Sequence, residues 1–314
     1  MWGVEHIVTG LNSNMDKILL LGANGQVGWE LQRALAVLGD VNACDQHEAN
    51  FENLQDLATL VDDFNPTIIV NAAAYTAVDK AESEPEKVKQ INADAVALLA
   101  SKAKKFEAWL IHYSTDYVFD GTSSLPYKES DKTNPQSVYG ITKFQGEEAI
   151  KESGCKHLIF RTSWVYAARG ANFAKTMIKL AQDREELKVV NDQIGAPASA
   201  ELIADITTLC LYRINQDTAS AFSGVYNLVP KGEVSWYDFA KYILVKTQKY
   251  GVKFKVKPEN IIPISTKDYP TPAKRPANSR LDVTKIIDTF GIYIPHWQKH
   301  ADRFIDELYV KESI

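Results

Sequence analysis

The chain has 314 residues, a little over twice the roughly 150 of a typical domain, so two domains are expected. With 45% hydrophobic and 24% charged residues it is neither disordered nor collagen-like, and a net charge of −5 supplies no general basic field for nucleic acid. Three cysteines, Cys44, Cys155 and Cys210, are odd in number and too far apart for a disulfide framework, which fits a reducing cytoplasm.

The most apolar stretches, at 18–21 and 67–78, fall short of the ~18 apolar residues a membrane span needs. Residues 1–14 carry Glu5 and no basic cluster, so they do not read as a secretory signal. Met15 opens MDKILLLGANGQVG, which looks like a natural amino terminus, and residues 1–14 are expected to be an extension outside the fold.

From Met15 the pattern is regular. A short aliphatic strand at 17–21 runs into Gly22, Gly25 and Gly28. Helical spacing at 29–38 puts Leu31, Leu35 and Leu38 on one face, with Gly39 as its stop. Strand 41–44, helix 54–64 and strand 67–71 follow, the last apolar without alternation, as expected for a parallel strand covered on both faces. A helix near 85–106, strand 109–113, helix 138–153 and strand 157–162 continue the series. Such alternation predicts an α/β fold with a Rossmann-type, doubly wound parallel sheet, because each parallel connection needs a crossover.

Beyond about residue 165 the rhythm loosens. Helices are predicted at 172–183, 200–213 and 235–248, and the Pro-, Thr- and Lys-rich stretch 258–280 reads as a loop wrapping a site. Residues 15–165 are thus expected to form most of a dinucleotide-binding domain. Residues 166–314 should form most of a smaller carboxy-terminal α/β substrate-binding domain, with chain crossings between the two.

The glycine pattern Gly22-x-x-Gly25-x-x-Gly28 is weak alone, but it follows the first strand and opens the first helix. There Gly22 and Gly25 let the backbone approach a pyrophosphate lying over a helix amino terminus, and Gly28 lets helix and sheet pack closely. Asp45 ends the second predicted strand about 20 residues beyond Gly25, the usual place of the acid that binds the adenosine ribose hydroxyls. A carboxylate favours NADH there, and no Arg or Lys directly follows to receive a 2′-phosphate.

Tyr-x-x-x-Lys occurs at Tyr139/Lys143, Tyr237/Lys241 and Tyr242/Lys246. Only the first pair follows a polar cluster, Ser114-Thr115-Asp116, at the carboxyl end of a strand in the regular region, where ligands of such folds bind. The other two overlap on one late amphipathic helix and read as surface and core positions. A carbonyl that receives a hydride needs a proton, and a phenol gives it at neutral pH with help from a nearby cation. Tyr139 is the expected donor, Lys143 the cation, and Thr115 a hydrogen-bond donor to the substrate oxygen. Arg275 and Arg280 offer cations for a diphosphate, Trp164 a cover for a sugar ring, and Asn191 and Gln193 polar contacts. The six histidines show no metal-ligand spacing.

The glycine loop, Asn71-Ala-Ala-Ala-Tyr-Thr76, Ser114-Thr-Asp116 and Tyr139-x-x-x-Lys143 resemble the extended short-chain dehydrogenase/reductases. More narrowly, the chain is similar to the dTDP-4-dehydrorhamnose reductase family from Met15 nearly to its end. The most specific pieces are GQVGWELQRAL (25–35), NAAAYTAVDKAESEPE (71–86), HYSTDYVFDG (112–121), FRTSWVYA (160–167), NDQIGAPASAEL (191–202) and RPANSRLD (275–282).

The resemblance implies reduction of a C4 ketone on a dTDP-sugar by NADH or NADPH, with Tyr139, Lys143 and Thr115 as catalytic residues. It implies cofactor contacts from Gly22, Gly25, Gln26, Val27, Asp45, Asn50, Phe51, Ala74, Tyr75, Thr76 and Tyr113, together with Tyr139 and Lys143. Substrate contacts fall to Thr115, Asp116, Trp164 and Arg275. A homodimer and magnesium at Glu30 and Glu201 are implied as well. Asn50 stands where the family places an acid, which leaves NADH and NADPH both open. Two other readings compete. One is an epimerase or dehydratase of the same superfamily, for which the absence of Glu after Asp116 is unfavourable. The other is a regulatory subunit of methionine adenosyltransferase, which resembles the same family.

Overall fold

Short aliphatic runs ending in glycine, asparagine or hydroxyl residues dictate the first half. The structure, a computed structural model, describes residues 15–217 and 222–310; the expected extension at 1–14 lies outside the described residues. In chain order the elements begin with β1 (Asp16–Leu21), α1 (Gln26–Leu35), β2 (Gly39–Cys44), α2 (Leu54–Phe64) and β3 (Ile68–Asn71). Then come the short α3 (Val78–Ala81) and α4 (Pro85–Lys89), which passes through a π-type turn at Gln90–Asp94 into α5 (Ala95–Lys105). β4 (Trp109–Thr115), α6 (Val138–Ser153) and β5 (Lys156–Thr162) complete the regular series.

Beyond them lie α7 (Phe173–Asp183), β6 (Lys188–Val190), β7 (Ile194–Gly195), α8 (Ala200–Gln216), β8 (Gly224–Asn227) and β9 (Val234–Ser235). The chain closes with α9 (Trp236–Gln248), β10 (Ile262–Ile264), α10 (Thr284–Phe290) and α11 (Trp297–Tyr309).

Six strands form one parallel sheet in the order β2-β1-β3-β4-β5-β8. The chain leaves β1 in one direction to make β2 and returns past it to make β3, so the strand order reverses beside β1. That reversal opens a crevice at the carboxyl ends of the strands, where ligands bind in such sheets. Side chains alternate across the sheet. Ile18, Leu20, Ile68 and Val70 pack against α1, α8 and α10, while Leu19, Leu21 and Ile69 pack against α2 and α5. A third core, holding Met177, Phe239, Ile243, Trp297 and Phe304, joins α7, α9 and α11. α8, β8 and α10 come from the second half of the chain and build on the main sheet.

Three local expectations need correction. Gly39 does not stop a helix: α1 starts at Gln26 and ends at Leu35 with Ala36 as its cap, while Gly39 opens β2 beside the backbone of Asp16. The helix expected at 85–106 is interrupted by the π-type turn. That turn carries the buried Asn92, whose Oδ1 accepts from Tyr75 N and whose Nδ2 donates to Tyr75 O, pinning the loop after β3. The stretch 258–280 is not all loop, since β10 pairs in parallel with β6. Its three residues, Ile-Pro-Ile, are too few to reveal a strand by periodicity.

Candidate functional site

A cavity of about 830 Å³ opens at the carboxyl ends of the main-sheet strands. One wall is backbone. The chain leaves β1 through Gly22, at φ +84°, where an added Cβ would lie 2.6 Å from Ala73 N. A Cβ on Gly28 would collide with the Gly22 carbonyl oxygen, so α1 packs this close to the turn only without one. Gly25 caps α1 without a side chain, and no acid sits in the first helical turn. The free N–H groups and the positive end of α1 are therefore available beside Gly25, Gln26 and Val27, all of which line the cavity. A glycine cradle at an uncapped helix start fits the pyrophosphate of a dinucleotide.

Asp45 follows β2 and lines the same cavity. Its Oδ2 accepts from Asn24 Nδ2 at 2.7 Å and its Oδ1 from His47 N at 2.7 Å, which fixes the carboxylate beside the glycine turn. Asn50 and Phe51 line this end too, as do Ala74, Tyr75 and Thr76 after β3. The Tyr75 hydroxyl donates to Glu84 Oε2 at 2.6 Å. Tyr113 borders the cavity but sends its hydroxyl into the core, 2.8 Å from Thr207 Oγ1.

Thr115, Asp116, Tyr139 and Lys143 line the same cavity. β4 runs through Thr115, two residues further than expected, and so delivers Ser114 and Thr115 at its carboxyl end. Ser137 caps α6, its side chain accepting from Gly140 N, and the helix places Tyr139 and Lys143 one turn apart on the cavity side. Burial pushes the Tyr139 phenol up, opposed by hydrogen bonding from Thr115. Burial also lowers the Lys143 ammonium to about 8, against the pull of Glu147. The lysine does not point its charge at Tyr139: Nζ donates to Tyr113 O at 2.6 Å and lies 3.2 Å from His112 Nε2.

Asp116 is buried and pushed up to about 6, chiefly by desolvation. Thr115 Oγ1 donates to its Oδ1 at 3.0 Å, while Oδ2 has no hydrogen-bond partner. Thr162 Oγ1, at the end of β5 and on the same cavity, is also unpartnered. Two buried oxygens without a partner thus belong to residues that line one cavity.

Another part of the lining is aromatic. Trp164 belongs to it, at φ +51°, a strained conformation for a bulky residue. Its ring stacks on Trp236 with centroids 3.6 Å apart, and a Cβ on Gly195 would come within 2.7 Å of it. Sequence reasoning missed Trp236, which opens the late helix whose Tyr-x-x-x-Lys pairs it set aside. It also missed Tyr117, whose ring meets that of Tyr139 edge-on at 5.5 Å. Lys87, paired with Glu52 at 2.9 Å on the cavity rim, was missed as well. Only the position of Tyr117, directly after the Ser-Thr-Asp cluster, offered a signal.

Other expected residues stand apart. Arg275 does not line the cavity; it donates to the Tyr117 hydroxyl at 3.0 Å and pairs with Asp79 at 2.6 Å, bracing the wall from behind. Arg280 ties Asn278, Glu233 and the Ser124 carbonyl together. Gln193 is buried against Thr266, and Asn191 is exposed. Tyr242 and Lys246 both bind Asp302 on α11, away from the cavity. Glu30 and Glu201 lie by a separate small recess with His300 and Glu307. Glu201 is already held by Arg303 and by His300, so this donor set does not fit magnesium. Among the described residues no group of three or more His, Cys, Asp or Glu is placed to hold a metal, and no helix is long and apolar enough to cross a membrane.

Residues 15–310 match the family described as RmlD substrate binding domain. A dTDP-4-dehydrorhamnose reductase of Escherichia coli K12 is 49% identical, over 95% of this chain and 99% of the relative. Among solved structures, a dTDP-4-dehydrorhamnose reductase from Clostridium acetobutylicum superposes with a TM-score of 0.84 at 36% identity, covering 93% of this chain and 99% of that one. The Bacillus anthracis dTDP-4-dehydrorhamnose reductase in complex with NADP gives 0.83 at 33%, covering 94% and 100%. This chain belongs to the RmlD substrate binding domain family.

Proposed function

We propose that this protein is an NAD(P)H-dependent dTDP-4-dehydrorhamnose reductase, which reduces the C4 ketone of dTDP-4-dehydro-β-L-rhamnose to give dTDP-L-rhamnose. The observation that carries the reading is one cavity lined both by the glycine turn and by Thr115, Tyr139 and Lys143. The Escherichia coli relative bears that activity in its name, and the Bacillus anthracis one was solved with NADP.

A bound nicotinamide supplies the hydride. The amide donors at Gly25, Gln26 and Val27 hold the pyrophosphate, and Asp45 receives the adenosine ribose hydroxyls. Asn50, Phe51, Ala74, Tyr75, Thr76 and Tyr113 border that path. Thr115 hydrogen-bonds the ketone oxygen and polarises it, and Tyr139, kept a phenol by burial, donates its proton to that oxygen. Lys143 replenishes and orients the proton system. Trp164 covers the sugar face, Asp116 accepts from its hydroxyls, and Arg275 acts by holding Tyr117 in place. Residues 15–165 thereby serve mainly the cofactor and the later residues mainly the sugar nucleotide.

A homodimer in the cytoplasm completes the reading. Trp29 on α1 and Leu209 and Tyr212 on α8 are large exposed apolar side chains on two helices packed together, which suits a self-association face.

The test is oxidation of NADH or NADPH followed by absorbance, with dTDP-4-dehydrorhamnose generated in situ. Substrate-dependent oxidation is expected in the native protein, and Tyr139→Phe should lose about 10²–10⁴-fold of it while still binding cofactor. Turnover near the native rate in that variant would sink the assignment. Cofactor binding without any oxidation by the native protein would turn the reading toward another sugar nucleotide or a regulatory subunit.

A further inference from the structure

The corner of the cavity at Asp45 is acidic. Asp45 N donates to Glu48 Oε2 at 3.1 Å, so a second carboxylate stands beside the first. Lys87 lines the cavity, but its ammonium is paired with Glu52 at 2.9 Å. Lys143, the other cation of the lining, is buried and donates to Tyr113 O. A carboxylate in such a corner accepts from a 2′-hydroxyl and repels a 2′-phosphate. No Arg or Lys directly follows Asp45 in the chain to offset this.

The fold brings one from the loop between β5 and α7, residues 167–172, which lies on the start of α1. Asn172 Nδ2 donates to Gln26 Oε1 at 3.0 Å and to Ala167 O at 2.7 Å, and Lys175 Nζ donates to Ala168 O at 2.7 Å. Gly170 packs so closely that an added Cβ would lie 3.3 Å from Gln26 Cγ. The loop is thus tied down on both sides of Arg169. The Arg169 guanidinium lies over the Trp29 ring, 3.9 Å from its centroid. Its Nε donates to Asn24 O and its Nη2 to Asn24 Oδ1, both at 3.3 Å.

Asn24 joins this cation to Asp45. Its Nδ2 donates to Asp45 Oδ2 at 2.7 Å while its Oδ1 accepts from Arg169. A carboxylate only accepts and a guanidinium only donates, so the amide is oriented from both ends. One carboxamide therefore separates the guanidinium from the carboxylate. Asn24 occupies two of the five N–H donors of Arg169, and among the described residues no carboxylate pairs with it. The remaining donors belong to an exposed planar fork, which matches a phosphate by paired bonds. We propose that Arg169 receives the 2′-phosphate of NADPH, and that Arg169 and Asp45 divide the two cofactors between them. The guanidinium takes the phosphate monoester, and the carboxylate takes the free 2′-hydroxyl of NADH. Trp29 and Asn24 hold the fork before the ligand arrives, so binding has less side-chain freedom to remove. The proposal rests on reading the cavity as a dinucleotide site and names the residue that tells one cofactor from the other.

The test is calorimetric titration of the full-length protein with NADH and NADPH, and with 5′-AMP and adenosine 2′,5′-bisphosphate, which differ by the 2′-phosphate alone. Arg169→Met should raise the ratio of the NADPH to the NADH dissociation constant about tenfold or more. The ratio for the bisphosphate over 5′-AMP should rise by a similar factor. Arg169→Lys, which keeps the charge without the fork, should move both ratios less. NADPH binding to the native protein should weaken more steeply with salt than NADH binding, and Arg169→Met should shrink that difference. A guanidinium that only holds Asn24 and Asp45 in place predicts equal weakening of both cofactors, so an unmoved ratio in Arg169→Met overturns the proposal. Binding of neither cofactor by the native protein would sink the dinucleotide reading and the proposal with it. The titrations need no turnover. A ratio that depends on Arg169 in a protein inactive toward the dTDP-sugar would uphold the proposal while sinking the reductase reading.

Discussion

The two walls of the cavity are made of different material. The wall at α1 is backbone: glycines, an uncapped helix start and the loop after β3, with the side chain of Asp45 beside the glycine turn. The other wall is side chain, with Trp164 strained, stacked on Trp236 and close to Gly195, and Tyr117 propped by Arg275 and Asp79. Backbone donors suit a ligand part shared by many enzymes, a pyrophosphate, and admit almost no substitution. Side-chain walls suit the part that differs between enzymes, and each contact can be adjusted one residue at a time. Changes to the first wall should therefore abolish binding, and changes to the second should grade it.

The harshest way to break this contrast is Gly28→Ala. The new methyl has nowhere to go but into the Gly22 carbonyl oxygen, so α1 must withdraw from the turn. We expect a loss of about 1–3 kcal/mol in stability from overpacking. Cofactor affinity should fall to the point of undetectable binding by fluorescence titration. Near-native affinity would mean that the helix start does not carry the pyrophosphate.

Trp236→Ala attacks the other wall. It removes the ring stacked under Trp164, and aromatic pairs contribute about 0.5–1.5 kcal/mol beyond the area they bury. Released on that side, Trp164 should relax from its left-handed backbone. We expect KM for the sugar nucleotide to rise about tenfold with the dissociation constant of NADPH unchanged. Equal loss of both would show that the walls are not independent.

Asp45→Ala should act more mildly, within the backbone wall. It removes the proposed acceptor for the ribose hydroxyls and should weaken NADH several-fold more than NADPH, whose 2′-phosphate gains from losing a neighbouring charge. Equal weakening of the two cofactors, measured side by side, would remove Asp45 from that role.

The same division of material decides how much the sequence discloses. A turn that only glycine can make, the strand before it and the helix after it lie within a few residues of one another, so the pattern from Lys17 to Gly28 is readable in place. The Thr115, Tyr139 and Lys143 cluster is readable too, because the i, i+4 spacing and the end of an apolar strand are local signals. Trp236 is not readable. It meets Trp164 only because β7 pairs with β9 and delivers the start of α9 to the cavity, and two-residue strands leave no periodicity. β8 is equally hidden, four residues of Gly-Val-Tyr-Asn that become a strand by docking on β5. The extension of β4 through Ser114 and Thr115 escapes a hydropathy reading because polar residues end it.

Asp116 sits where the walls meet, and its effect is the smallest and the most dependent on conditions. Burial raises its carboxyl to about 6 from an ordinary value of 3.8, so the folded protein holds the proton over a range in which the unfolded chain has released it. The sign follows: below about pH 4 both states are protonated and nothing is lost. As pH rises toward 6 the unfolded chain gains by ionising first, and above 6 the folded state carries the full cost of a buried anion. Asp116→Asn removes that cost. It should stabilise the protein by about 1–3 kcal/mol at pH 7, with the gain shrinking to nothing near pH 4, as read from denaturant midpoints at each pH. A gain independent of pH would mean that the orphaned Oδ2, rather than the charge, sets the cost. If stability at pH 7 falls instead, the carboxylate is better solvated in the cavity than its burial implies, and the hydroxyl-binding role assigned to it would have to pass to Thr162.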